Sequence, residues 1–279
     1  MFVVTGGSGF LGRSIVRMLV RSALPVTRVI RREAAPEPSV IDLPITDYCN
    51  LPRFMETSIL IHAGEPADIG TAQALGEAHI ERMEEMTDAL LSRRFAGHVY
   101  ISSAVVYGDE LDTRRREDEP VGQRGYYAKA KEKCEAKVLA CGGAVIRLSN
   151  LFGSGMARNT LIGDVLAQIP GEGPVKLRDD APVRDYVFVE DAARAVVACA
   201  TRKVAGVFNV GSGLGISAGD LARNILEVAG EPDRPIVATL RSGRPSYLVL
   251  DVSKSSQVLD WRPQVSLSDG LTRMLKSAA

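Results

Sequence analysis

Tyr127 and Lys131 stand four residues apart in the run Tyr-Ala-Lys-Ala-Lys. On a helix that spacing puts both side chains on one face, with their Cβ atoms about 5–6 Å apart. An ammonium so close to a phenol favours its ionised form, which suits Tyr127 to act as a general acid or base near neutral pH. Ser103 ends the apolar run Val99-Tyr100-Ile101-Ser102-Ser103 and adds a hydroxyl between the glycine-rich start of the chain and this pair. A Tyr-x-x-x-Lys spacing alone occurs by chance in many helices, so its meaning depends on the elements around it.

Those elements begin at the first residues. Residues 2–5 read as a buried strand that runs into Gly6-Gly7-Ser8-Gly9-Phe10-Leu11-Gly12, followed by a helix carrying Ile15, Val16, Met18 and Leu19 on one face. A strand, a glycine-rich turn and a helix in that order let backbone amides approach a pyrophosphate. The expected cofactor contacts here are Gly6, Gly9, Phe10, Leu11 and Gly12. A second strand, Val26 to Ile30, ends in Arg31-Arg32, where a site selective for NAD would place an acid on the ribose 2′-hydroxyl. Arginines there accept a 2′-phosphate instead, so NADP(H) is favoured, with NAD(H) as the alternative. A strand at Val40 to Leu43 brings Asp42 to the adenine edge with Leu43 beside it, and a fourth from Ser58 to Ala63 delivers Ala63 and Gly64 to the cofactor. Strands alternating with helices imply a parallel sheet, in which ligands meet the carboxyl ends of strands. Ser103 lies at such an end.

The bulk composition agrees with a small-molecule ligand. The 279 residues are 46% hydrophobic, enough for a large core, and the 34 basic and 34 acidic residues cancel. Charge therefore points to neither nucleic acid nor a membrane surface. Cys49, Cys134, Cys141 and Cys199 have no Cys-x-x-Cys spacing and form no ligand cluster with His62, His79 and His98, so no metal is expected. The chain begins in an apolar strand without signal-peptide architecture and has no apolar run of 18 residues, so a soluble, cytoplasmic protein is expected.

The glycine fingerprint, Ser103 in Ser-Ser-Ala-Val-Val-Tyr-Gly, and Tyr127 to Glu135 together resemble the extended short-chain dehydrogenase/reductase family, in its nucleotide-sugar epimerase/dehydratase branch. The resemblance continues through Arg147 to Gly153, Val183 to Asp191, Phe208 to Gly211 and Leu259 to Pro263, and so covers nearly the whole chain. It implies an α/β fold: a Rossmann-type doubly wound parallel sheet with a smaller C-terminal α/β substrate lobe. Residues 1–150 form the dinucleotide-binding domain, to which 183–213 returns, and 151–279 mainly form the substrate lobe. By the same resemblance Tyr127 is the acid/base, Lys131 assists it and holds the nicotinamide ribose, and Ser103 bonds the reacting oxygen. Asn150, Arg184 and Arg244 contact the sugar or the diphosphate, and a homodimer is possible. Two arginines and a carboxamide from separate loops would make a sensible diphosphate clamp. Arg241 is an alternative to Arg244. Glu135, one turn beyond Lys131, reads as a structural partner of the lysine. Arg114-Arg115-Arg116 reads as solvated surface, and His79 is assigned no role.

Ala104 and Val105 follow Ser103 where the family's 4,6-dehydratases carry an acidic pair, which makes dehydration the weaker expectation. Four readings remain, one of them a small-molecule aldehyde or ketone reductase that uses no nucleotide-sugar. An NADP-linked 4-ketoreductase of a nucleotide-activated hexose is slightly favoured over a 4-epimerase that retains NAD. A non-catalytic dinucleotide-binding homologue is the third, against which the intact Ser103, Tyr127 and Lys131 count.

Overall fold

The computed structural model describes residues 1–31, 35–122, 125–240 and 243–278. The first strands are β1 (Phe2–Thr5), β2 (Val26–Ile30), β3 (Val40–Pro44), β4 (Ile59–His62), β5 (Gly97–Ser103) and β6 (Ala144–Leu148). The chain then leaves this sheet for β7 (Asn150–Phe152), β8 (Val175–Leu177) and β9 (Val183–Phe188), and returns as β10 (Gly206–Val210). Strands β11 (Gly215–Ser217), β12 (Ile236–Ala238) and β13 (Tyr247–Leu248) follow. The helices are α1 (Phe10–Arg21), α2 (Ile69–Leu75), α3 (Glu77–Leu91), α4 (Tyr126–Ala140), α5 (Leu161–Gln168), α6 (Val189–Arg202), α7 (Ala218–Val228), α8 (Ser253–Leu259) and α9 (Leu267–Ala278).

Seven strands pair in parallel in the order β10-β6-β5-β4-β1-β2-β3. Every residue of β1, β2, β4 and β6 is buried. Helices cover both faces of such a sheet, so its central strands run apolar instead of alternating. On one face α1 packs against α6 over Ile15, Val16, Leu19, Val196 and Ile146. On the other, α3 packs against α4 over Ile80, Met83, Cys134 and Val138. This is a Rossmann-type α/β architecture.

A second, smaller layer surrounds β9, which pairs with β7 and β13 in parallel and with β11 antiparallel, beside the β8–β12 pair. Its own core contains Phe152, Ile162, Val165, Leu221, Ile225 and Leu271. Because the chain runs from β1 outward to β3 and then restarts as β4 on the other side of β1, a crevice opens at the carboxyl ends of β1 and β4.

The glycine-rich turn fits that crevice with no room to spare. Gly6 has φ +67°, and a Cβ on it would lie 2.3 Å from the Ala63 carbonyl oxygen. A Cβ on Gly12 would lie 2.0 Å from the Gly6 carbonyl oxygen, whereas one on Gly9 would come no closer than 3.1 Å to that atom. Overpacking against backbone typically costs about 1–3 kcal/mol, so Gly12→Ala should be destabilised by at least that much and Gly9→Ala by clearly less. Urea denaturation of both variants checks this, and equal midpoints would contradict the packing described.

Candidate active site

The chemistry gathers where β4, β5 and α4 meet. Strand β5 ends at Ser103, whose Oγ accepts from the Val105 amide at 3.3 Å and so starts a 3₁₀ turn over Ala104–Tyr107. Helix α4 begins at Tyr126 after an extended Gly125, which puts Tyr127 in its first turn and Lys131 one turn later. Tyr127 is 8% exposed and Lys131 5%. The Lys131 Nζ sits 5.8 Å from the centre of the Tyr127 ring and 4.8 Å from that of Tyr100. The His79 ring stacks on Tyr127 at 6.5 Å from the side of α3.

An ammonium this deep needs acceptors. Lys131 Nζ donates to Glu65 Oε2 at 2.5 Å and to the Ile101 carbonyl at 2.7 Å. The Glu65 side chain is 4% exposed and accepts in addition from the Tyr100 hydroxyl at 2.8 Å. Its other oxygen meets His62 Nε2 at 3.2 Å, and His62 Nδ1 meets Thr5 Oγ1 at 2.6 Å. A His62 protonated on Nε2 satisfies both contacts, donating to the carboxylate and accepting from the threonine hydroxyl. Burial alone would raise the Glu65 pKa, but the Lys131 charge and the His62 hydrogen bond outweigh it and hold the carboxyl down to about 2. Burial likewise opposes the charge on Lys131, and Glu65 reverses this and raises the ammonium above its ordinary value.

Glu135 does not partner Lys131. Its carboxylate accepts from Arg147 Nη2 at 2.7 Å and from the Ser102 hydroxyl. Arg147 rises from β6 beneath α4 and is itself buried, so it takes the nearer carboxylate while Lys131 takes Glu65 across the crevice.

At the cofactor end, Arg31 donates to the Gly64 carbonyl at 3.0 Å and its guanidinium lies 5.4 Å from the centre of the Tyr48 ring. The Tyr48 hydroxyl donates to the same carbonyl at 3.2 Å. A Cβ on Gly64 would fall 2.0 Å from that hydroxyl oxygen and 3.0 Å from the Gly6 backbone nitrogen, so a larger residue here would have to displace Tyr48. Arg31, Asp47, Tyr48, Arg82 and Glu85 border a cleft of about 390 Å³. Arg32, the second basic residue read from sequence, lies outside the described residues. Leu43 packs beside Tyr48 and Leu60. The Asp42 carboxylate is engaged by a buried arginine: both its oxygens bind Arg28, at 2.6 and 2.7 Å. Arg28 is buried in β2 and faces Asp42 in strand register, so it takes that carboxylate as its counter-charge. Phe10 and Leu11 open α1, whose N-terminus has no side-chain cap and no acid in its first turn. Those uncapped amides, beside the Gly6 and Gly12 backbone, suit a pyrophosphate, and the residues present fit a dinucleotide.

On the substrate side, Arg184 of β9 and Arg244 do converge, and they converge on Asp109. Arg184 Nη2 donates to Asp109 Oδ2 and to Ser246 Oγ, each at 2.8 Å, while Arg244 and the Ser246 hydroxyl also bond Asp109. Burial pushes the Asp109 carboxyl up, but Ser246 and the two guanidiniums hold it below its usual range. Asn150 opens β7, exposed, and meets the Tyr186 side chain opposite it on β9. It is not among the residues bonded to Asp109. Arg241 lies outside the described residues. Among the described residues no His, Cys, Asp and Glu cluster could hold a metal ion, and no helix is long and apolar enough to cross a membrane.

Sequence reasoning missed Thr5, His62, Glu65 and Asp109. Glu65 did carry a signal: it is an acid directly after Gly64, just past the carboxyl end of a parallel strand that is apolar up to its final His62. Asp109 occupies the equivalent place after Gly108.

Residues 2–211 match the NAD dependent epimerase/dehydratase family, and the chain belongs to it. It is 26% identical to the dTDP-6-deoxy-L-talose 4-dehydrogenase (NAD(P)(+)) of Kitasatospora kifunensis, over 97% of this chain and 93% of the relative. It is 27% identical to the dTDP-L-rhamnose 4-epimerase of Burkholderia thailandensis, over 96% and 92%. The crystal structure of a UDP-glucose 4-epimerase from Thermotoga maritima with UDP-glucose has the same fold, with a TM-score of 0.84 at 21% identity, covering 99% of this chain and 97% of that one.

The Glu65 carboxyl has its folded pKa depressed, so the stability it contributes is present above the unfolded value and is lost as pH falls toward about 2. Glu65→Gln should be less stable than the native protein at pH 7, by on the order of 3 kcal/mol. That gap should close between about pH 5 and pH 2 as the native carboxylate takes up its proton. Denaturant midpoints of both proteins across this range test it, and a gap independent of pH would contradict the assignment.

Proposed function

We propose that the protein is an NADP(H)-linked reductase acting at C4 of a nucleotide-activated 4-keto sugar. The observation that carries this reading is the Tyr127–Lys131 pair, buried one turn apart beside the carboxyl end of β5, where Ser103 sits. Tyr127 donates a proton to the C4 oxygen, and Ser103 Oγ holds that oxygen while it gains charge. Lys131 spends two of its three N–H donors on Glu65 and Ile101, and its third serves a ribose hydroxyl or the Tyr127 oxygen. The bound dinucleotide supplies the hydride. Gly6, Gly9, Phe10, Leu11 and Gly12 hold its pyrophosphate, with Ala63, Gly64 and Leu43 along its course. Arg31, with Arg82 on the same cleft, supports a 2′-phosphate and hence NADP(H).

The relatives named for dTDP-sugars support a nucleotide-sugar substrate. Arg184 and Arg244 are the diphosphate contacts in this reading, with Asn150 toward the sugar. For them to act, the diphosphate must replace Asp109 as their partner. A 4-epimerase that keeps NAD is the second reading, and one observation favours it: Arg31 already bonds Gly64 and stacks on Tyr48.

Tyr127→Phe should lower kcat by at least on the order of 10²-fold while the dissociation constant for the cofactor barely changes. Steady-state kinetics with cofactor titration measures both, and undiminished turnover would remove Tyr127 from the mechanism. Mass analysis of nucleotide released on denaturation separates the two readings. An empty protein preferring NADPH supports the reductase, and stoichiometric retained NAD supports the epimerase.

A further inference from the structure

We propose that Glu65 is a positioning residue of the catalytic centre: its carboxylate fixes the Lys131 ammonium and, through His62 and Thr5, ties it to the root of the glycine-rich loop. The inference rests on Tyr127 and Lys131 being the catalytic pair and assigns the group that sets the state of the lysine.

The geometry is a continuous buried chain. Thr5 Oγ1 to His62 Nδ1 is 2.6 Å, His62 Nε2 to Glu65 Oε1 is 3.2 Å, and Glu65 Oε2 to Lys131 Nζ is 2.5 Å. Thr5 is the last residue of β1 and adjoins Gly6, while His62 is the last of β4. The chain thus crosses the point where the strand order reverses and ends on the lysine. The preceding residue belongs to the same anchor, because the Gly64 carbonyl accepts from Arg31 and Tyr48. One dipeptide, Gly64-Glu65, therefore holds the 390 Å³ cleft by its backbone and the catalytic lysine by its side chain.

Every element packed around the pair contributes titratable groups. They are His62 from β4, Tyr48 from the turn after β3, His79 from α3, Tyr100 from β5, and Tyr127 and Cys134 from α4. Burial pushes the Cys134 thiol up to about 11 and raises Tyr100 well above its ordinary value, so neither is an anion at neutral pH. Among these groups Glu65 is the carboxylate, and it supplies the counter-charge of Lys131. Removing it leaves an ammonium at 5% exposure facing one carbonyl, and desolvation then favours the neutral amine.

The experiment follows the Lys131 Nζ by NMR in protein labelled with ¹⁵N at lysine side chains, assigned by its loss in Lys131→Arg. Native protein and Glu65→Gln are titrated alongside the pH dependence of turnover. The expected result is a Lys131 midpoint at least one pH unit lower in Glu65→Gln, with the alkaline limb of kcat moving down by a similar interval. Glu65→Asp, which keeps the charge, should restore most of both and also serves if the glutamine variant does not fold. A purely structural glutamate would lower thermal stability and move neither quantity, and coincident Lys131 titrations in native protein, Glu65→Gln and Glu65→Asp would overturn the proposal. A shifted Lys131 midpoint together with normal turnover of Tyr127→Phe would support the anchoring and overturn the catalytic reading of Tyr127 instead.

Discussion

A lysine ammonium taken out of water must find a counter-charge and hydrogen-bond acceptors, or it gives up its proton. Lys131 meets that constraint by drawing three strands together. It leans from α4 across β5, bonds the Ile101 carbonyl there, and reaches the carboxylate that follows β4. His62 then links this carboxylate to β1. The strands that meet around the ammonium are those flanking the reversal of strand order, where a parallel sheet opens its crevice. The requirement of one buried charge and the topology of the sheet therefore select the same place.

The same logic of counter-charges runs through the rest of the molecule. Arg28 in β2 is answered by Asp42, Arg147 in β6 by Glu135, and Arg184 and Arg244 by Asp109. The first two pairs are internal to the sheet and its covering helix, and they hold neighbouring elements in register. The third lies in the smaller layer and is only partly buried, with Arg244 60% exposed at its side chain. A partly hydrated pair is the easier one for an incoming anion to exchange, which suits the arginines to a ligand and Arg28 and Arg147 to structure.

Much of this was legible in the sequence where the signal is local. The glycine turn, the apolar strands and the four-residue spacing of Tyr127 and Lys131 each follow from periodicity or from backbone sterics, and the parallel arrangement of the sheet, though not its seven strands, follows from their alternation. The ion pairs were not legible, because they are chosen by three-dimensional distance. Glu135 sits at helical spacing from Lys131 and looks like its partner, yet Arg147 lies closer to it in space, from a strand twelve residues on. Asp42 looks free at a strand end until the β2–β3 register places it opposite Arg28. Glu65, 66 residues from the lysine it binds, could be flagged only as an acid in an apolar setting. Parallel pairing brings distant segments together, and sequence spacing carries little of that information.

The central claim, reduction at C4 by Tyr127 with a nicotinamide hydride, is tested most directly by label transfer. The purified protein is incubated with NADPH deuterated at the transferring position and a dTDP- or UDP-linked 4-keto-6-deoxyhexose, and the sugar product is examined by mass spectrometry and proton NMR. The account predicts one deuterium, located at sugar C4, appearing with oxidation of the cofactor. A protein that binds NADPH yet leaves the keto sugars unlabelled would contradict it.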